Sequence, residues 1–203
     1  MGAIYVNINE YENAKKVYYR AIELVDDIIG EYKDSTKCWR ALAEIYYKEK
    51  RYEDALSCYH SAFQIVKNLP YSCRRDGIVA DLLIQIGSCY LNIKDFENAV
   101  INLSEALRIK MEQCADDFDG DKIVELRLKL GLGMYWSGKN DIALEQWKKV
   151  LHAKKISLPL NVSIEMILDC IEKFLQIGKA GHSSSLLLLL SSSPLPKCLF
   201  IKL

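Results

Sequence analysis

The sequence predicts an all-α chain of antiparallel helical hairpins. Three observations carry this. A four-residue signature recurs as Tyr11-Glu12-Asn13-Ala14, Tyr52-Glu53-Asp54-Ala55 and Phe96-Glu97-Asn98-Ala99. A large side chain stands nine residues before the alanine of each: Tyr5, Tyr46, Tyr90 and, in a looser fourth copy, Met134 before Ala143. Helix breakers are few, with 4 Pro and 10 Gly in 203 residues, and Pro194 and Pro196 fall in the last ten, so little interrupts helix before them.

The elements follow in order from these marks. Second helices begin at the signatures, because Ala14, Tyr18 and Ala21 recur as Ala55, Tyr59 and Ala62, as Ala99, Leu103 and Ala106, and as Ala143, Trp147 and Val150. A four-then-three spacing is one helical face. First helices lie upstream, each with a small residue behind larger apolar ones: Ala43 with Leu42 and Trp39, Gly87 with Ile86 and Leu83, Gly131 with Leu130. Asn9-Glu10, Lys50-Arg51, Lys94-Asp95 and Gly138-Lys139-Asn140 are short polar links that suit tight turns between antiparallel helices. Gly or Ala lets two helix backbones approach, and the aromatic of the second helix fills the space beside it.

Composition narrows the function. Lys+Arg and Asp+Glu are 27 each, for a net charge of zero, which argues against broad attraction to nucleic acid or anionic membrane. Seven Cys are scattered with no C-x-x-C, so they read as reduced, small buried hydrophobes in a cytoplasmic or nuclear compartment. The longest apolar run, Leu186 to Leu190, is far short of the roughly 20 residues of a membrane span.

Trp39, Leu42, Ala43, Tyr46, Ala55, Tyr59 and Ala62 meet almost fully the pattern W-x2-L-G-x2-Y, A-x3-F, A. Over residues 1–153 the chain therefore resembles the tetratricopeptide repeat. The resemblance implies a right-handed superhelical solenoid whose first helices line a concave groove. Its units are residues 1–30, a truncated first repeat, then 36–70, 74–113 and 121–155, with 161–180 a degenerate fifth repeat or capping helix and 181–203 a low-complexity tail. The signature alanines are 41, 44 and 44 residues apart, longer than the family's usual span of about 34. The extra residues enter longer helices or longer loops, with Val66 to Asp76 and Met111 to Lys122 as candidates. Lengthened repeats of this kind resemble those of kinesin light chains and spindle-orientation adaptors, but the chain lacks the His-Pro-Asp-Val links of kinesin light chains. Gly2 falls where the glycine of a first helix belongs, so the chain reads as a piece of a longer solenoid or as one with a shortened first hairpin. The Ser/Leu tail reads either as a crude cap or as a disordered or non-native end.

A search for chemistry returns little. His60, His152 and His182 share no metal-ligand spacing. Asp116 to Asp121 fails as a calcium loop, since aligning Gly120 with the loop's invariant glycine leaves Ala115 and Leu126 where acidic ligands are required. It reads instead as an acidic approach to a helix beginning near Asp121. Gly178 to Ser183 lacks both the earlier glycine and the preceding strand of a phosphate loop. The chain thus reads as non-catalytic and in need of no cofactor.

What remains is surface. The resemblance places Lys37, Arg40, Glu44, Tyr47 and Lys48, then Asp81, Ile84, Ser88, Leu91 and Asn92, then Glu125, Leu128, Leu132, Tyr135 and Trp136 on the concave side. Arg40, Tyr47, Ile84, Leu91, Leu128, Leu132, Tyr135 and Trp136 are the candidate peptide-binding set, able to anchor the apolar face of a helix. The same residues could equally contact neighbouring helices. Recognition of a chaperone C-terminal carboxylate is not expected, because Glu44 and Glu125 stand where that clamp needs an amide or a cation, and like charges repel. The resulting expectation is an interaction module that holds a protein or peptide partner in its groove. The alternative is a structural segment of a longer solenoid that assembles a complex through its convex face or ends. RNA reading is disfavoured by the neutral charge.

Overall fold

The computed structural model describes residues 2–26, 32–69, 76–113 and 121–152. Among them lie eight helices and no strand: α1 (Gly2–Asn7), α2 (Tyr11–Asp26), α3 (Tyr32–Lys48), α4 (Tyr52–Asn68), α5 (Asp76–Asn92), α6 (Phe96–Gln113), α7 (Asp121–Trp136) and α8 (Asn140–His152). They pair as α1/α2, α3/α4, α5/α6 and α7/α8 hairpins. The chain divides into two compact units, residues 1–113 and 114–203. In the first, α2 also packs on α3 and α4 on α5, which is the stacking of a helical-repeat solenoid. Residues 161–180 and 181–203, the acidic Asp116–Asp119 stretch and Gly178–Ser183 lie outside the described residues.

The nine-residue offset has a geometric cause. Each first helix ends with one residue in the left-handed region, Asn9 (φ 61°), Lys50 (61°), Lys94 (65°) and Gly138 (80°). The next backbone N–H reaches back five residues to the large residue's carbonyl: Glu10 to Tyr5, Arg51 to Tyr46 and Asp95 to Tyr90 at 2.9 Å, Lys139 to Met134 at 2.8 Å. The left-handed residue's own N–H closes a second bond, to Val6, Tyr47, Leu91 and Tyr135 in turn. This is the Schellman termination of a helix. The residue that caps the first helix also opens the second, since its carbonyl accepts from the signature alanine's N–H at 3.0 Å in all four copies. Five residues to the cap and four more to the alanine make nine, and one inserted residue would break a bond. In the third turn the Asp95 carboxylate adds an N-cap, accepting from the Asn98 backbone N–H at 3.2 Å.

Small residues nest against the second helix sixteen positions on. A Cβ added at Gly2 would lie 2.6 Å from the Tyr18 ring, and one at Gly87 2.6 Å from Leu103 Cγ. At Gly131 it would run into the Trp147 indole. Ala43 and Tyr59 occupy the same register and both are buried. The signature alanines Ala14, Ala55, Ala99 and Ala143 are fully buried too, as close helix contact requires. The longer spacing enters at least partly as helix: Tyr32 to Asn68, one hairpin without any onward loop, already exceeds about 34 residues.

Candidate functional site

The candidate residues of the first unit lie on α3 and α5. Tyr47, near the end of α3, is half-buried with its ring edge-on to Tyr52, centroids 5.2 Å apart. Its hydroxyl accepts from Asn92 Nδ2 at 2.9 Å, which ties the two first helices together. Asn92 also donates to the Ser88 carbonyl, and Ser88 Oγ to the Ile84 carbonyl, both at 2.8 Å. Ile84 and Leu91 on α5 and Arg40 on α3 are half-buried. Arg40 and Glu44 act electrostatically on the Tyr59 hydroxyl, whose pKa burial drives upward. This patch is therefore a polar row, Tyr47 to Asn92 to Ser88, with aliphatic and guanidinium groups beside it.

The second unit corrects the expected apolar stripe. Leu128 and Leu132 are each only 6% exposed and present nothing to a partner. The reason lies in the distribution of apolar residues on α7: Ile123, Val124, Leu126, Leu128, Leu130 and Leu132 are all buried and fall on more than one face of the helix, so no single apolar stripe is left over for a ligand. Accessible aromatic surface is confined to the end of the helix. Trp136 is 45% exposed. Tyr135 meets Trp136 edge-on at 5.3 Å and Trp147 at 6.1 Å. Trp147 is buried and donates its indole N–H to the Leu128 carbonyl at 3.4 Å. The three rings form a graded cluster from core to surface. Nearby charges are paired, Lys129 with Glu125 at 2.8 Å, while Arg127 donates to Gln146 at 2.9 Å.

Sequence reading missed the polar contacts between hairpins. Lys15 on α2 is buried, yet its ammonium lies 2.5 Å from Glu12 and 3.2 Å from Glu49 at the end of α3, and over the Tyr46 ring at 5.2 Å. Burial works against that charge, but the bonds to Glu12 and Glu49 outweigh it and raise its pKa. Arg51 covers Tyr46 at 4.7 Å, and the Tyr19 and Tyr46 hydroxyls are 3.0 Å apart. At the next junction His60 Nε2 stands 3.5 Å from the Tyr90 hydroxyl, and burial pushes the imidazole pKa down. One signal could have exposed these pairs: Tyr19 and His60 share one register, directly after the nesting Tyr18 and Tyr59, and face the two tyrosines nine residues before Ala55 and Ala99.

Among the described residues no group of three or more His, Cys, Asp or Glu could hold a metal, and no helix is long and apolar enough to cross a membrane. Cys58 and Cys89 are buried, and burial lifts the Cys58 thiol pKa to about 11.

Comparison with known proteins agrees with this geometry. Sequence profiles of the tetratricopeptide repeat match residues 38–112 and 1–24. Similar solved structures include the apo form of RapI, with TM-score 0.63 and 17% identity over 94% of this chain and 63% of that one. BtubC (BKLC) from P. vanneervenii has TM-score 0.68 and 16% identity over 90% of this chain and 70% of its own. A crystal structure of nearly identical TPR-like repeats from Podosopora anserina, described as a kinesin light chain, has TM-score 0.66 and 12% identity over 94% of this chain and 88% of that chain. The chain thus spans under two thirds of the length of RapI. No curated protein matches it significantly in sequence.

Proposed function

Because this chain is a tetratricopeptide-repeat protein, we propose that it works as a non-catalytic interaction module that binds the apolar face of a partner peptide or helix. The observation that carries the reading is the Trp136 ring, 45% exposed yet held edge-on by Tyr135, which rests in turn on buried Trp147. An aromatic already fixed in place loses little conformational freedom on binding, and such side chains dominate interface energies. In the first unit, half-buried Arg40, Tyr47, Ile84 and Leu91 supply a second surface on α3 and α5, two helices that the Tyr47–Asn92 hydrogen bond ties together. That combination suits an amphipathic segment with an acidic edge.

The test is selection from a displayed library of amphipathic peptides, followed by affinity measurement on single variants. Trp136→Ala should weaken selected peptides of the second unit by about tenfold or more, the range of an interface anchor. Tyr47→Ala should do the same for those of the first. Ile101→Ala, at an exposed position on α6, serves as control. Binding unchanged by both aromatic truncations would remove these surfaces from the account.

A further inference from the structure

Along one face of α3, Arg40, Glu44 and Lys48 follow one another at four-residue intervals, a basic, an acidic and a basic group rising about 6 Å per step along the helix axis. Arg40 is half-buried, and Glu44 and Lys48 are exposed. Opposite charges at this spacing pair on α6, α7 and α8: Arg108 with Glu112 at 2.5 Å, Lys129 with Glu125 at 2.8 Å and Lys149 with Glu145 at 2.6 Å. On α3 they do not, since Arg40, Glu44 and Lys48 form no ion pair among the described residues. Nor does the face belong to an end of the stack. The α3/α4 hairpin is packed between α2 on one side and α5 on the other.

We infer that the Arg40–Glu44–Lys48 ladder selects a partner helix that carries an acidic, a basic and an acidic residue at four-residue intervals. This deepens the reading of the first-unit surface and rests on it. Two helices laid side by side keep the same rise per residue, so three charges on one can face three on the other in register. Both patterns read the same in either direction, so the ladder fixes register and leaves polarity to the apolar contacts. Those come from α5, which the Tyr47–Asn92 bond ties to α3 and which carries half-buried Ile84 and Leu91 in the registers of Arg40 and Tyr47. Arg40 and Glu44 also act on the hydroxyl of buried Tyr59. One side of the ladder therefore borders the dry interior of the hairpin, where charges are screened less than in open water. Charge complementarity of this kind supplies specificity, because a misplaced partner sets like charges against each other.

Three synthetic peptides with the same apolar residues and the same net charge are titrated against the full-length protein at low salt. The first is a stapled helix with glutamate, lysine and glutamate at four-residue intervals. The second is its permutation, lysine, glutamate and glutamate. The third is unstapled, with the first order at two-residue intervals, the spacing an extended chain would need. The first should bind about tenfold more tightly than either of the others, with the gap narrowing as salt rises. The double variant Arg40→Glu with Glu44→Arg keeps the protein's net charge and should reverse the order of the two stapled peptides. Helix content by circular dichroism confirms that it folds. Arg108→Glu on α6 and Trp136→Ala on α7 should leave the order as it was. The inference is overturned if the stapled peptides bind equally, if the extended peptide binds best, or if the charge swap does not reverse the preference. It is overturned as well if none of the three binds. Equal binding of all three leaves the interaction module standing, since that reading falls only with the Trp136 and Tyr47 truncations in the library selection.

Discussion

Gly131→Ala is expected to destabilise the second unit, although alanine is the better helix former. The added Cβ would collide with Trp147 at Nε1, with Cδ1 at 2.7 Å and Cε2 at 2.8 Å. The indole is 2% exposed, so it has no space into which to retreat. Overpacking of this kind costs about 1–3 kcal/mol. Displacing the ring also loosens its bond to the Leu128 carbonyl, about 1 kcal/mol more. Replacing a mid-helix glycine returns about 1 kcal/mol, which leaves a net loss of about 1–3 kcal/mol. The second hairpin shows the repair, since Ala43 and Tyr59 occupy the same two registers and both are buried. Adding Trp147→Tyr to Gly131→Ala should therefore restore part of the loss. The four proteins of this double-mutant cycle are compared by urea denaturation, followed by far-ultraviolet circular dichroism so that loss of the indole does not disturb the signal. A coupling of about 1 kcal/mol or more is expected for residues in direct contact. An unchanged or raised midpoint for Gly131→Ala, or strictly additive effects, would refute the argument that register sixteen apart means nested side chains.

Two further expectations concern the turns and protonation. Lys50→Gly and Lys94→Gly relieve a left-handed conformation (φ 61° and 65°) and should each stabilise by about 1 kcal/mol, whereas Gly138→Ala (φ 80°) should destabilise by a similar amount, all read from denaturation midpoints. His60 has a folded-state pKa below its ordinary value of 6.5 because burial disfavours the imidazolium. The native state therefore binds fewer protons than the unfolded one, so this contribution is present above the unfolded pKa and is lost as pH falls through it. His60→Gln should flatten the stability-pH slope between about pH 7.5 and about pH 5.5; an equal slope in both proteins would contradict the assignment.

Much of this architecture was legible without coordinates because it is local. The alanine face, the polar links and the nine-residue offset all follow from hydrogen bonds between residues close in sequence, and the turns stand where Asn9, Lys50, Lys94 and Gly138 mark them. The nesting of Gly87 on Leu103 and Gly131 on Trp147 was readable too, since sixteen residues separate the partners within one hairpin. The candidate surface was less legible. Tyr47 and Asn92 were both placed on the concave side, but their hydrogen bond joins residues 45 apart and had no mark in the sequence. Lys15 gave no warning that it would be buried, because its partner Glu49 lies 34 residues away, just past the end of α3.

By itself, then, the order of residues determined the hairpins, their turns and their nesting pairs, since these depend on backbone geometry within a single repeat. Only the tertiary structure decided which apolar residues a partner can reach. Leu128, Leu132 and Trp136 have similar claims as apolar positions on α7, yet the first two are 6% exposed and the third 45%. Periodicity specifies the direction of a side chain around its helix axis, whereas exposure depends on what lies across from it in space.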